Sequence, residues 1–301
     1  MKNLSWFNKG MFALNIILII LTFVAYALPF LAPKSFPILS VLTLFMPFFF
    51  IMNGLFFAYW GIQFKKRMFV SGLVLLIGIT FINKFYKFSS QDYQKQEGKD
   101  FTVMSYNVRL FNVFKWIDRD DVPTDILDFI NEKNPDVLCI QEYSSSANID
   151  LKVYRHKYIF TDGNQIKTGQ AIFSKFPIID QGKIIFPNSS NNVVFADIKK
   201  GKDIIRVYNM HLQSIKISPD VNEIDDNIDA INQQKSQLLF IRISKAFKQQ
   251  QQQAELFKEH KKECVYPVII CGDMNNSAFS YVYRGIKGTL KDSFEEAGKG
   301  F

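Results

Sequence analysis

The chain of 301 residues carries a formal net charge of +8. That excess is lopsided: residues 1–100 hold 10 Lys/Arg against 3 Asp/Glu, whereas residues 101–301 hold 26 against 25. A protein that grips long nucleic acid nonspecifically needs a clustered basic face on the gripping domain, so the near-neutral C-terminal part argues against such a partner, and three cysteines imply no disulfide framework and read as buried free thiols.

Three uncharged apolar runs come first: Met11 to Ala32, Phe36 to Gln63, and Met68 to Asn83. A helix crossing ~30 Å of hydrocarbon needs about 20 residues. The first two runs meet that length, and the third approaches it if Lys84 and Lys87 snorkel. Residues 1–88 are therefore expected to form three transmembrane helices. The first is too long for the core of a cleaved signal peptide and lacks a small-x-small site, so it is expected to remain as an anchor. Lys2, Lys9, Lys65, Lys66 and Arg67 fall on one side of a three-span arrangement, against Lys34 alone in the Pro33-Lys34-Ser35 loop. By the positive-inside rule the N-terminus is cytoplasmic and the remainder lies on the far face. Lys84, Lys87, Lys95 and Lys99 beyond the third run oppose that orientation, but long translocated domains count little in the rule.

Residues 89–100 are polar, aperiodic and linker-like. Beyond them short β-rich runs are flanked by Gly, Pro, Asn or Asp: 101–106, 136–140, 157–161, 170–174, 193–198, 203–209 and 267–271. The runs at 193–198 and 203–209 enclose Lys199-Lys200-Gly201-Lys202 as a hairpin. Helical patterns occupy 123–133, with Pro at the first turn, and 224–262, which contains no Gly or Pro. Helices among many strands predict a mixed sheet sandwich covered by helices.

Polar groups cluster where these strands end. Val268-Ile269-Ile270-Cys271-Gly272-Asp273-Met274-Asn275 delivers a carboxylate and an amide two residues apart, a pairing that suits a phosphoryl group. Asn107, Glu142 and His211 end three other strands. Each alone has a plain reading, as a turn residue, a solvated carboxylate or a structural histidine.

Together, Ser105-Tyr106-Asn107-Val108-Arg109, Ile140-Gln141-Glu142, the run from Thr168 to Ile178, Asn209-Met210-His211-Leu212 and Gly272-Asp273-Met274-Asn275 resemble the motifs of the endonuclease/exonuclease/phosphatase superfamily, in order. The resemblance covers about 101–301. It implies an α/β, four-layer sandwich preceded by the transmembrane helical region, and a magnesium-dependent phosphoesterase, with Mn²⁺ as an alternative ion. Glu142 would be the main metal carboxylate with Asn107 beside it; His211 and Asn275 would contact phosphate oxygens; Asp273 would orient the attacking water. Gly169-Gln170-Ala171-Ile172 looks structural. Family members carry a further Arg-Ile-Asp-like strand and a Ser-Asp-His-like motif, neither of which is present before Gly300-Phe301, so the last strands are expected to be missing. The resulting expectation is an integral protein of a bacterial inner membrane, its catalytic domain extracytoplasmic, acting on a lipid-headgroup or nucleotide-type phosphoester. The alternative is a binding or scaffold protein that keeps the fold without turnover.

Overall fold

Helix α1 (Trp6–Ala27) starts at Ser5, whose hydroxyl accepts the backbone N–H of Asn8 at 3.3 Å. A 3₁₀ turn, Leu28–Phe30, follows at Pro29. The computed structural model describes residues 4–88, 100–147, 149–163, 167–215 and 231–300. They fall into two compact units: Met1–Asp92 with Ile215–Gln252 and Asn276–Phe301, and Tyr93–Ser214 with Gln253–Asn275.

In the first unit the second apolar run is not one uniform helix. It forms a 3₁₀ stretch, Leu39–Phe45, and then α2 (Met46–Ile62). The cause is Pro47, which has no N–H and whose ring would clash with the carbonyl of residue 43 in a continuous α-helix; it sits instead in the first turn of α2. Trp6–Phe30 and Leu39–Ile62, of 25 and 24 residues, are long and apolar enough to cross a membrane. Helix α3 (Met68–Ile82) has 15 residues, about 22 Å at 1.5 Å per residue.

The three helices are apolar on their exposed faces as well as in their shared core, where a few polar groups are buried. Leu14, Ile17 and Ile20 on α1, Ile51 and Leu55 on α2, and Leu73, Leu76 and Ile79 on α3 are exposed, whereas Asn15, Thr22, Asn53 and Ser71 are buried. The buried polar groups find one another: Asn15 Nδ2 donates to Ser71 Oγ at 2.9 Å, Trp60 Nε1 to Asn15 Oδ1 at 3.0 Å, and Asn53 Nδ2 to Thr22 Oγ1 at 3.0 Å. The same unit contains α6 (Tyr281–Lys287) and α7 (Ser293–Ala297). Phe279, ahead of α6, packs beside Phe50 and Phe81.

The second unit holds all eight described strands. One sheet has the order β1 (Val103–Asn107), β2 (Val137–Ser144), β4 (Thr168–Ser174), β3 (His156–Asp162); the other runs β5 (Ile178–Ile185), β6 (Asn192–Lys200), β7 (Asp203–His211), β8 (Val268–Asp273). The expected hairpin is present as β6–β7, with Lys200 opposite Asp203. Alternation assigns the layers. Val137 and Cys139 of β2 meet Val194, Ala196 and Val207 between the sheets, while Leu138 and Ile140 turn the other way onto α4 (Val122–Lys133). On the opposite side, Phe257 of α5 (Ile231–Lys262) lies edge-on to Tyr208 at 5.1 Å. This is the α/β four-layer sandwich.

Boundaries shift from expectation by one to three residues at most strands, and β5 was not foreseen. Its sequence, Ile-Ile-Asp-Gln-Gly-Lys-Ile-Ile, carries Gly and polar residues because it is an edge strand, paired with β6 alone. A Cβ at Gly182 would lie 2.6 Å from the Phe195 ring, so that ring occupies the space a side chain would need. Helix α5 is described from Ile231; the expected start at 224 and the linker at 89–99 fall outside the described residues. Cys139 is buried, Cys264 and Cys271 are half-buried, and all three are free.

Candidate active site

Strand direction brings the site together. β1 and β2 are parallel, with Asn107 opposite Gln141, and β7 and β8 are parallel, with His211 opposite Asp273. Alternation then decides which side chains face inward. On β8, Ile269 and Cys271 pack between the sheets and Asp273 continues that face; on β7, Val207 is followed at the same parity by Asn209 and His211.

Glu142 does not follow simple alternation. The β2–β4 register skips from Gln141 to Tyr143, leaving Glu142 in a β-bulge with φ 51°. Tyr143 consequently takes the α4 side, where it joins the core with Phe111 and Phe173. A non-glycine residue in the left-handed region costs about 1–3 kcal/mol and persists where the surroundings enforce it; bulges of this kind re-aim a side chain. The result is a carboxylate lifted out of the ladder at the end of a buried strand.

Asn107 joins the two sheets at this edge. Its Nδ2 donates to Glu142 Oε1 at 3.1 Å and to Asp273 Oδ2 at 3.0 Å, and its Oδ1 accepts the N–H of Arg109 at 3.0 Å. His211 Nε2 lies 3.7 Å from the same Glu142 oxygen. Asp273 Oδ1 accepts the N–H of Asn275 at 2.8 Å, closing a turn in which Asn275 has φ 48°. Asn107, Glu142, His211 and Asp273 are therefore brought together. The Asn275 side chain turns back instead, its Nδ2 donating to the carbonyl of Leu212 at 2.9 Å, so it secures the β7–β8 end of the site. Gly272 precedes Asp273 with φ +139°, and a Cβ there would sit 2.1 Å from the Met210 carbonyl oxygen.

Sequence reasoning assigned no role to the buried amides below this edge. Gln141 Nε2 donates to Asn209 Oδ1 at 2.6 Å, and Asn209 Nδ2 donates across the sheets to the carbonyls of Ile140 and Ala171 at 2.8 and 3.0 Å. Gln170 Nε2 reaches Asn192 Oδ1 at 2.7 Å. The available signal was a Gln and an Asn inside otherwise apolar strands, which buries polar groups that must find partners. Further in, a hydrogen bond with Cys271 and complete burial hold the Cys139 thiol well above its usual range, so it stays protonated. At Gly169 a Cβ would lie 1.9 Å from the Phe160 carbonyl, in keeping with a structural part for that motif.

Among the described residues, no three His, Cys, Asp or Glu side chains form a metal cluster. The converging lone-pair donors are two carboxylates and an imidazole, without thiolate, with the Asn107 amide turned so that its Nδ2 bridges the carboxylates. One or two carboxylates, completed by water and substrate phosphate, is the set a hard ion such as Mg²⁺ takes. The residues fit that ion.

The model of the Endonuclease/Exonuclease/phosphatase family matches residues 104–300. The chain belongs to this family. Ahead of the family region, residues 8–85 match a domain of unknown function, DUF8431. No curated protein sequence matches the chain. Among solved structures, a humanized D. rerio TDP2 bearing 14 mutations is similar at 16% identity and TM-score 0.39, over 64% of each chain. TDP2 from C. elegans is similar at 20% identity and TM-score 0.39, over 60% of this chain and 50% of that one. Sphingomyelinase C from Streptomyces griseocarneus is similar at 16% identity and TM-score 0.41, over 62% and 68%. The chain thus spans less than two thirds of each TDP2 chain.

Proposed function

We propose that this member of the endonuclease/exonuclease/phosphatase family is a membrane-anchored phosphoesterase that hydrolyses a phosphodiester or phosphomonoester by attack of water. The observation that carries the reading is Asn107 Nδ2 held between Glu142 and Asp273, at 3.1 and 3.0 Å, which draws carboxylates from both sheets to one point. Glu142, with Asn107 beside it, would hold a divalent cation, Mg²⁺ or Mn²⁺. Such an ion supplies charge neutralisation at phosphoryl oxygens.

The chain's own groups do the rest. Asp273 has its Oδ1 anchored by the Asn275 N–H and its Oδ2 by Asn107, so its remaining lone pairs have fixed directions in which to orient a water for attack on phosphorus. His211, at the inward-facing end of β7, donates to a phosphoryl oxygen. Asn275 supports this geometry through Leu212, and its second Nδ2 N–H would be the group that contacts a phosphate oxygen. The Gln141–Asn209 pair prevents the strand that carries Glu142 from shifting against β7.

Membrane anchoring is supported by the exposed apolar faces of α1 to α3, which a water-soluble bundle would cover with polar residues, and by the hydrogen-bonded polar groups buried among them. The charge asymmetry favours a cytoplasmic N-terminus, with the family domain on the other side. A lipid-headgroup or nucleotide-type ester suits a domain tethered in this way.

The test uses the full chain in detergent or nanodiscs with Mg²⁺, assayed on bis(p-nitrophenyl) phosphate and p-nitrophenyl phosphate. Glu142→Gln and Asp273→Asn should each lower kcat/KM by roughly 10²–10⁴-fold, the range for loss of a positioned catalytic group. Wild-type turnover by either variant overturns the assignment. Mg²⁺ binding without turnover on either ester favours the scaffold reading.

A further inference from the structure

The first unit contains a cavity of about 350 Å³ beyond the end of α3, lined by Lys84, Phe85, Tyr283, Asp292, Phe294 and Glu295. Its size suits a small ligand or headgroup. Two of its polar groups are incompletely served. Lys84 Nζ has the Ala278 carbonyl at 3.3 Å and the Tyr283 ring centroid at 5.7 Å; no carboxylate lies within ion-pair distance of it among the described residues. Glu295 receives Lys287 on Oε2, but its Oε1 is buried without a hydrogen-bond partner. Asp292 already accepts two hydrogen bonds, from the Tyr283 hydroxyl on Oδ2 and the Glu295 N–H on Oδ1. Lys84 therefore feels the charges of Glu295 and Asp292 only from beyond ion-pair distance, and Glu295 Oε1 lacks a donor.

A lone phosphate would satisfy Lys84 while setting its oxygens against Glu295, and a lone amine would face Lys84. A molecule with both charges a few atoms apart meets both needs. The second need is for an N–H, which a primary ammonium has and a quaternary ammonium lacks. Lys84 stands two residues past the last residue of an apolar helix, and Lys34, in the loop between the first two apolar stretches, bonds through its N–H to Gln251 in the same unit. In a membrane protein both positions fall at the headgroup level.

We propose that this cavity binds the headgroup of a primary-amine zwitterionic phospholipid, with phosphate at Lys84 and ammonium at Glu295 Oε1. The proposal rests on the membrane part of the reading above and not on its chemistry. Burial lowers the Lys84 pKa, with Glu295 and Asp292 pulling it up and Lys287 and Arg284 pulling it down; an adjacent phosphate would add to the upward pull.

The experiment is native mass spectrometry of the full chain in detergent, with dioleoyl phosphatidylethanolamine, phosphatidylcholine and phosphatidylglycerol offered in equal amounts. Phosphatidylethanolamine should be retained at least tenfold over the other two. Glu295→Gln should abolish that preference, Lys84→Ala should lower retention of all three lipids, and Lys84→Arg should restore it. Equal retention of the three lipids, or an unchanged preference in Glu295→Gln, overturns the proposal. Glu295→Gln is isosteric and carries the test if Lys84→Ala does not fold. Equimolar glycerophosphoethanolamine should leave the lipid bound; its uptake in place of lipid overturns the membrane source. Carbonate extraction of membranes tests the anchoring separately, since release of the chain would defeat that reading whatever detergent-phase lipid retention shows.

Discussion

Replacing Asn209 by leucine probes the link between the two sheets below the active-site edge. Asn209 is fully buried and makes three side-chain hydrogen bonds, at 2.6, 2.8 and 3.0 Å. A typical intramolecular hydrogen bond contributes about 0.5–1.5 kcal/mol net, and a buried group left unpaired costs about 1–3 kcal/mol. Gln141 Nε2 keeps Ser105 Oγ at 3.1 Å and the Cys139 carbonyl at 3.3 Å, so it is not orphaned. The expected loss is therefore about 2–4 kcal/mol rather than the sum of three full penalties. At 1.4 kcal/mol per factor of ten, amides in β2 and β7 should exchange about 30- to 700-fold faster when exchange follows the opening equilibrium. Hydrogen exchange of the full chain, read by mass spectrometry on peptides covering 137–144 and 203–211, measures this strand by strand. Asn209→Asp is the sharper variant: it keeps Oδ1 but turns a second oxygen toward two carbonyls, and should be at least as damaging. Exchange within threefold of wild type in Asn209→Leu, or a fully stable Asn209→Asp, would refute the reasoning. Because Glu142 follows Gln141, either variant should also lower phosphoesterase turnover.

Two further perturbations concern the same unit. Arg206 holds Asp197 through two hydrogen bonds of 2.6 and 2.7 Å, with the Asp197 side chain only 2% exposed; Arg206→Ala should cost about 3–5 kcal/mol by stranding a buried carboxylate, while Arg206→Met with Asp197→Leu should recover most of it in thermal melts. His260, half-buried with its Nδ1 at 3.1 Å from the Tyr208 hydroxyl, is held below its usual range, first by burial and then by Arg206, against opposing pulls from Glu263 and Asp197. Its depressed value means the unfolded chain takes up the proton more readily. Stability is thus fully present above about pH 6.5, the unfolded value, and is lost as pH falls through the folded one. Protection factors in 253–262, corrected for the intrinsic slowing of amide exchange at lower pH, should fall on acidification from pH 7 to 5, and His260→Gln should flatten that response; an unchanged slope in the variant would contradict the assignment.

Much of this architecture is legible from local pattern. Apolar runs without charge mark α1 to α3, and period-two alternation bounded by Gly, Pro and Asn marks seven of the eight described strands, because each pattern reports a face that must be covered within one element. Asn107, Glu142, His211 and Asp273 stand out because each follows directly on such a pattern where the strand ends. What the pattern could not convey is contact between distant elements. Asn107 and Asp273 are 166 positions apart and Gln141 and Asn209 are 68 apart, so their pairing depends on register between strands and on how two sheets face each other. The same holds for Glu142: alternation along β2 would turn it toward α4, and only the bulge against β4, with its left-handed backbone, aims it at the site. Asn275 shows the converse. A two-residue spacing places it beside Asp273 on extended backbone, but the chain has already turned, and its amide serves the carbonyl of Leu212. Residue chemistry and periodicity are written along the chain; the convergence of a carboxylate pair on one amide arises only when the ends of strands from two sheets are stacked.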